Sequence, residues 1–162
     1  MATAKAHALK FDHAAIPIAD PGKTYEFYAE TLGLPLIDAL CGRDWGGHDW
    51  LMMIFGLADN RELALIALRD FKPKRQRGMP RDALHYAFSV ADAKALDAWR
   101  TRLVEADVEF WEEGHGAQAS LYFEDPNGLI LEITSPPSAP EQSFQRDPKA
   151  LIRRWLKAGA SA

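Results

Sequence analysis

Three side chains have the types and the placement to hold a metal ion: His13, His85 and Glu132. Glu132 lies within Leu129-Ile-Leu-Glu-Ile-Thr134, which reads as a strand after the strong turn signal Asp125-Pro-Asn-Gly128. Strand side chains alternate between faces, so Ile130, Glu132 and Thr134 share one side, and Leu129, Leu131 and Ile133 the other. A carboxylate in mid-strand among large apolar residues needs a compensating partner, and a metal ion is one. His13 and His85 stand near the starts of two further apolar runs that read as strands. Two neutral imidazoles and a carboxylate on rigid strands suit a divalent ion and leave part of its sphere open. The sequence admits Fe(II), favoured here, and also Mn(II) or Zn(II).

The elements that must position these groups form an internal repeat. His13-Ala-Ala-Ile-Pro-Ile-Ala-Asp20 aligns with His85-Tyr-Ala-Phe-Ser-Val-Ala-Asp92 at a constant offset of 72 residues. Each copy reads β-α-β-β-β. In the first, a strand over Phe11–Ala19 precedes a helix that Asp20-Pro21 starts and Gly33 stops, with Tyr25, Tyr28 and Leu32 on one face. Strands follow near Leu34–Ala39, Trp50–Phe55 and Leu63–Leu68. In the second, a strand over Leu84–Ala91 precedes a helix capped by Asp92 and carrying Leu96, Trp99 and Leu103. Strands follow at Val108–Trp111, Ser120–Glu124 and Leu129–Thr134. Parity sets His13 with Ala15 and Pro17, and His85 with Ala87 and Ser89. The histidine sides thus have small neighbours, as a cavity wall should, and pseudo-symmetry is expected to bring both imidazoles into one cup. The expected fold is α+β: two βαβββ modules forming a paired, cup-shaped mixed sheet, plus a C-terminal helix. Module one covers 8–70, a basic linker 71–82, module two 83–136, and a spacer and helix 137–162.

Bulk properties narrow the function classes. The 162 residues suit one domain with a proper core, and the net charge of −4 gives no reason to expect nucleic acid. One cysteine, Cys41, excludes an intrachain disulfide and fits a reducing compartment; it has no basic neighbour in a motif and reads as inert. The start lacks an apolar signal region and no apolar run reaches spanning length, so a cytoplasmic setting without a membrane partner is expected. The linker cations, among them Arg75, Arg77 and Arg81, read as a solvated loop. In the tail, Asp147 and Pro148 start a helix whose Leu151, Ile152, Trp155 and Leu156 make an apolar stripe, expected to pack on the same chain or a twin.

The paired units, His13, His85 and the ending Tyr122-x-x-Asp-Pro-x-Gly-x-x-x-Glu132 resemble the vicinal oxygen chelate superfamily over about Phe11 to Ser135. That superfamily includes glyoxalase I, type I extradiol dioxygenases, fosfomycin-resistance transferases and metal-free bleomycin-binding proteins. The resemblance implies a small-molecule substrate, a homodimer, and modules that pair within one chain or across two.

Among its members, glyoxalase I takes a fourth ligand, a Glu, from the last strand of the first unit. The comparable depth here falls near Ala64 to Ile66, with Glu62 at the strand mouth. Fosfomycin transferases hold their phosphonate with a Lys and an Arg; ungapped alignment puts Glu112 and Glu141 there, which would repel it. Extradiol dioxygenases share the three ligand positions with Fe(II), and His115…Leu121-Tyr122…Asp125-Pro126…Gly128…Glu132 reproduces most of their signature. Glu113 departs from its usual start. Their catalytic His is absent where Glu62-Leu63 stand, and His48, between Trp45 and Trp50, is the nearest replacement. The resemblance therefore implies ring cleavage of a small catecholic or aromatic compound. Tyr122 would hydrogen-bond the bound oxygen, with His48 and His115 in catalytic or supporting roles. The alternatives are a glyoxalase-like isomerase, lyase or thiol transferase using the metal as a Lewis acid, or a drug-binding protein without chemistry.

Overall fold

The computed structural model describes residues 11–74, 80–115, 117–136 and 147–159. Each module builds one four-stranded mixed sheet. The first holds β1 (His13–Ile18), β2 (Leu36–Trp45), β3 (His48–Gly56) and β4 (Glu62–Leu68), in the order β1-β4-β3-β2. The second holds β5 (His85–Ser89), β6 (Phe110–His115), β7 (Gln118–Glu124) and β8 (Ile130–Ser135), in the order β5-β8-β7-β6. The first and last strands of each module pair in parallel and the others antiparallel, so the β-α-β-β-β repeat is met twice.

The helices differ more than the strands. Asp20 caps α1 (Pro21–Tyr25), its carboxylate accepting from the Lys23 amide, but the chain then widens into a π-helical segment over Glu26–Thr31. Leu32 N–H donates five residues back to the Phe27 carbonyl. This wider turn puts Phe27, Tyr28 and Leu32 in the core and leaves Tyr25 exposed, where a regular helix would have buried Tyr25 beside Tyr28. Gly33 ends the segment with φ of +72°, and a side chain there would also meet the guanidinium of Arg102. The second helix, α2 (Ala93–Glu105), is capped by Asp92 as expected and buries Leu96 and Leu103.

One hydrophobic cluster joins the two modules. Ala14, Ile16 and Ile18 of β1, Phe55 of β3 and Leu65 of β4 meet Leu121, Phe123, Leu131 and Ile133 of the second sheet, with Tyr28, Leu96 and Leu103 from the helical segments. Polar bonds fix the junction. Arg102 on α2 donates to the carbonyls of Glu30 and Thr31, satisfying the C-terminal end of the π-helical segment. The Asp125–Gly128 turn reaches the start of α1: the Asn127 side-chain oxygen accepts from Ala19 N–H at 2.8 Å, and its amide donates to Thr24 Oγ1 at 3.0 Å. Asp125 accepts from the Tyr28 hydroxyl at 3.1 Å and from the amides of Asn127 and Leu129.

The tail forms α3 (Pro148–Gly159), with Asp147 accepting from the Ala150 amide. Leu151, Ile152, Trp155 and Leu156 are all exposed on the single chain, so of the two expected partners for the stripe the same chain is not the one that covers it.

Candidate metal centre

The side of each sheet turned away from the shared core carries the predicted ligands. In β1, burial alternates strictly, with Ala14, Ile16 and Ile18 inside and His13, Ala15 and Pro17 outside. In β5, His85, Ala87 and Ser89 face outward. In β8 both faces are buried. Leu131 and Ile133 enter the core, while Glu132 lies beside Ala87 of β5 and Tyr122 of β7.

His85 Nε2 stands 3.0 Å from Glu132 Oε2. The other ring nitrogen, Nδ1, is 2.7 Å from the carbonyl oxygen of Asp82. A carbonyl can only accept, so Nδ1–H donates to Asp82, and Nε2–H donates to the carboxylate; loss of that second proton would free the Nε2 lone pair for a metal. Two donors bound at a right angle, each about 2.1 Å from an ion, stand about 3 Å apart. The separation, and the ring orientation fixed by the Asp82 carbonyl, therefore fit neighbouring ligands of one divalent cation that would take the place of the shared proton. Glu132 is nearly buried, with 9% of its side chain accessible, so a cation there would meet little competition from water.

Tyr122 completes this corner. Its hydroxyl hydrogen-bonds Glu132, and burial together with that carboxylate pushes its pKa up to about 12. The ring stacks on Trp111 at 5.2 Å and meets His85 edge-on at 5.7 Å. Trp111 is fixed in turn, its indole N–H donating to Glu113 at 2.9 Å and its other face covered by Arg81 at 4.9 Å. Arg81 also pairs with Glu124 at 2.8 Å, so this linker cation, although still exposed, borders the site. Composition alone could not single out Trp111 and Arg81. The parity of Trp111 with Glu113 on β6, facing Tyr122, is the signal that finds the first of them.

His13 is not brought to this corner. Its ring nitrogen Nδ1 pairs with Asp12 at 2.9 Å, and its neighbour across β4 is Glu62. Because the two sheets share one core, the outward faces that carry His13 and His85 look away from each other. The expected common cup is therefore not formed within one chain, and the described residues contain no cluster of three or more His, Cys, Asp or Glu groups able to hold a metal.

The register also settles what corresponds to Glu132 in the first module. Glu132 sits opposite Ala87, and the repeat equivalent of Ala87 is Ala15, which sits opposite Ala64. The equivalent position is thus apolar, with Glu62 two residues toward the strand mouth.

The remaining candidates lie elsewhere. His48 starts β3, beyond the end of β4 remote from Glu62, and its Nδ1 bonds the Arg69 carbonyl at 2.8 Å. Eight strand residues separate that level from Glu62, or roughly 25 Å, so His48 cannot serve an ion held by His13. His115 pairs with Gln118 at the end of β6, and its side chain lies outside the described residues. Glu112 does not face the site. It points to the helix side of β6, where Arg100 of α2 grips both carboxylate oxygens at 2.7 and 2.8 Å and lowers its pKa. The charge it was expected to set against a phosphonate is therefore absent from the site, and Glu141 lies outside the described residues.

Comparison with known proteins identifies the lineage. Residues 10–133 match the model of the Glyoxalase/Bleomycin resistance protein/Dioxygenase superfamily. The chain belongs to that superfamily. Within the glyoxalase/dioxygenase superfamily, the chain is 28% identical over 129 residues to a glutathione transferase, FosA, of Serratia marcescens, covering 75% of this chain and 77% of that protein. Its fold matches a glyoxylase/bleomycin resistance protein/dioxygenase domain from Frankia sp. EAN1pec with a TM-score of 0.64, at 19% identity over 79% of this chain and 98% of that one. A lactoylglutathione lyase from Agrobacterium tumefaciens matches with a TM-score of 0.59 and 20% identity, covering 77% and 92% of the two chains. The superfamily's two four-stranded sheets are thus shared with proteins of different chemistry.

Proposed function

We propose that the protein is a divalent-metal-dependent enzyme whose site is completed when two copies meet, His85 and Glu132 coming from one and His13 from the other. The observation that carries this reading is the 3.0 Å approach of His85 Nε2 to Glu132 Oε2, with Nδ1 held by the Asp82 carbonyl. The need for a second copy follows from His13 lying at the equivalent place on the face turned the other way. Its support is in the sheet edges. β1 and β5 each end their sheet, leaving one row of backbone groups open to pair with another copy. Exposed Leu36, Ile37 and Leu40 on β2 also favour a homodimer.

The donor set suits Fe(II), with Mn(II) or Zn(II) also accommodated. The ion, when bound, supplies a Lewis-acid centre that lowers the pKa of a coordinated hydroxyl and leaves room for a second reactant. The chain's own residues do the rest. Glu132 and the histidines fix the ion, and Asp12 and the Asp82 carbonyl orient the two imidazoles. Tyr122, neutral at ordinary pH, can hydrogen-bond a substrate oxygen beside Glu132. Pairing would set the Trp111–Tyr122 stack opposite Met52, Ile54 and Ile66, which share His13's face of the first sheet. Such walls suit a flat, largely apolar substrate with two adjacent oxygens, so extradiol-type ring cleavage of a small catecholic compound is the finer reading.

The second reading is thiol transfer by the same site. It is favoured by the likeness to a glutathione transferase and by the orientation of Glu112 away from the ligands. Protein purified anaerobically and loaded with Fe(II), Mn(II) or Zn(II) separates the two. Oxygen uptake with a catechol panel under Fe(II) supports ring cleavage. Metal-dependent loss of glutathione thiol in the presence of an epoxide, without oxygen uptake, moves the assignment to transfer. Failure of the wild-type protein to bind any of the three ions removes both.

A further inference from the structure

The helix-covered side of the first sheet is left open at one end. There Cys41 of β2 stands opposite Leu51 of β3, and Leu51 opposite Ala67 of β4. Opposed residues share a face, so these three continue the side that carries Met53, Phe55 and Leu65 in the core. They floor a cavity of about 880 Å³. A tight turn forms one wall: the Phe71 N–H donates to the Leu68 carbonyl at 3.2 Å, and Asp70 takes a φ of +63°. The reversal sets Phe71 and Lys72 against the cavity, where His48 meets the Phe71 ring at 6.1 Å. The charges of the lining do not balance. Arg69 pairs with Asp49 at 3.7 Å, whereas Arg43 and Lys72 form no ion pair among the described residues, and Asp70 is the one remaining acid of the lining. The cavity thus keeps one positive charge on a chain that carries −4.

We propose that this cavity binds a small aromatic carboxylate, its ring over Leu51, Ala67 and Phe71 and its acid group between Arg43 and Lys72. The ring gains by leaving water for the aliphatic floor and by packing on Phe71. The carboxylate takes charge-assisted hydrogen bonds from two cations that stand outside any ion pair. A single negative charge matches the surplus, whereas a doubly charged phosphate would exceed it and be opposed by Asp70. The volume is that of a site for a compact organic molecule, roughly 300–1,000 Å³. The cavity stands apart from the candidate metal centre. His13 lies on the other face of the same sheet, and its neighbour Glu62 marks the end of β4 remote from Ala67. Filling the cavity therefore does not depend on the metal.

The probe is 2-naphthoate, with 2-naphthalenemethanol as its uncharged counterpart, each titrated into the full-length chain by calorimetry. Cys41, the sole cysteine, lies in the floor and is exposed, so its alkylation by N-ethylmaleimide reports whether the cavity is filled. Naphthoate should slow that alkylation in step with its binding isotherm and nearly stop it at saturation. The alcohol should bind about tenfold more weakly, and the Arg43→Gln/Lys72→Gln variant should lose about tenfold in naphthoate affinity while binding the alcohol as the wild type does. Both side chains are exposed, so the melting temperature of that variant should not move. Absence of naphthoate binding, equal affinity for the two probes, an unchanged affinity in the double variant, or a Cys41 that naphthoate does not protect would each overturn the proposal. A Cys41 that resists alkylation before any probe is added would do the same, because the cavity would then be covered by the protein itself.

Discussion

The hydroxyl of Tyr28 donates to the carboxylate of Asp125 at 3.1 Å, joining the helical segment of the first module to the closing turn of the second inside a buried junction. Both groups are shielded from water, so neither has a substitute partner in solvent. Tyr28→Phe should destabilise the fold by about 1–3 kcal/mol. Asp125→Ala should cost more, upward of about 3 kcal/mol, because the amides of Asn127 and Leu129 lose their acceptor too. Urea unfolding midpoints at constant m-value measure both; an unchanged midpoint in Asp125→Ala would show that the turn does not tie the modules.

The same tyrosine makes the protein sensitive to alkali. Burial and the adjacent Asp125 charge raise the Tyr28 pKa well above the ordinary tyrosine value of 10.0. In the unfolded chain the phenol ionises near pH 10, while in the folded chain it keeps its proton. The unfolded state therefore binds fewer protons above that pH, and stability falls as pH rises through it. Tyr122, pushed up to about 12, acts in the same direction. Thermal unfolding between pH 8 and 11 should show a decline that is shallower in Tyr28→Phe than in the wild type.

A site shared between copies has a distinctive genetic signature. His13→Ala and Glu132→Ala should each abolish tight binding of Mn(II). A mixed dimer of the two variants keeps one intact set of donors and carries both lesions on the other. Mixing them, after partial denaturation to exchange subunits, should restore about one ion per mixed dimer by calorimetry. No recovery, with exchange verified by mass, would place the whole site within one chain or nowhere.

The column Arg81–Trp111–Tyr122 predicts an effect without contact to the ion. Trp111→Leu removes the ring on which Tyr122 rests and frees Glu113 from the indole N–H. Mn(II) affinity should fall by about tenfold, within the usual range for residues that orient ligands, while Trp111→Phe should retain most of it. Equal losses in both variants would point to a general packing defect.

Much of this architecture was legible in the chain. The offset between His13 and His85 gave the duplicated unit, and Glu132 among apolar neighbours marked the strand that carries it. Parity placed both histidines on the faces away from the core. What parity cannot give is which way two modules are turned relative to each other. That is set by Arg102, Asn127 and Tyr28, whose partners lie roughly 70 to 110 residues away. Glu112 was misplaced because alignment to relatives ignored its alternation with Trp111. Tyr25 was misplaced because a π-helical turn breaks the 3.6-residue period on which the face was read. Arg81 looked like an ordinary linker charge because nothing local announces Trp111 or Glu124.

The alanine at position 64 has an electrostatic consequence. Two uncharged rings and a single carboxylate cancel only half of a dication's charge, so an ion gripped by them keeps one unit of positive charge. Had a second acid stood where Ala64 does, that remainder would vanish. In the proposed site the small methyl would leave the ion with uncompensated charge for whatever anionic oxygen approaches it.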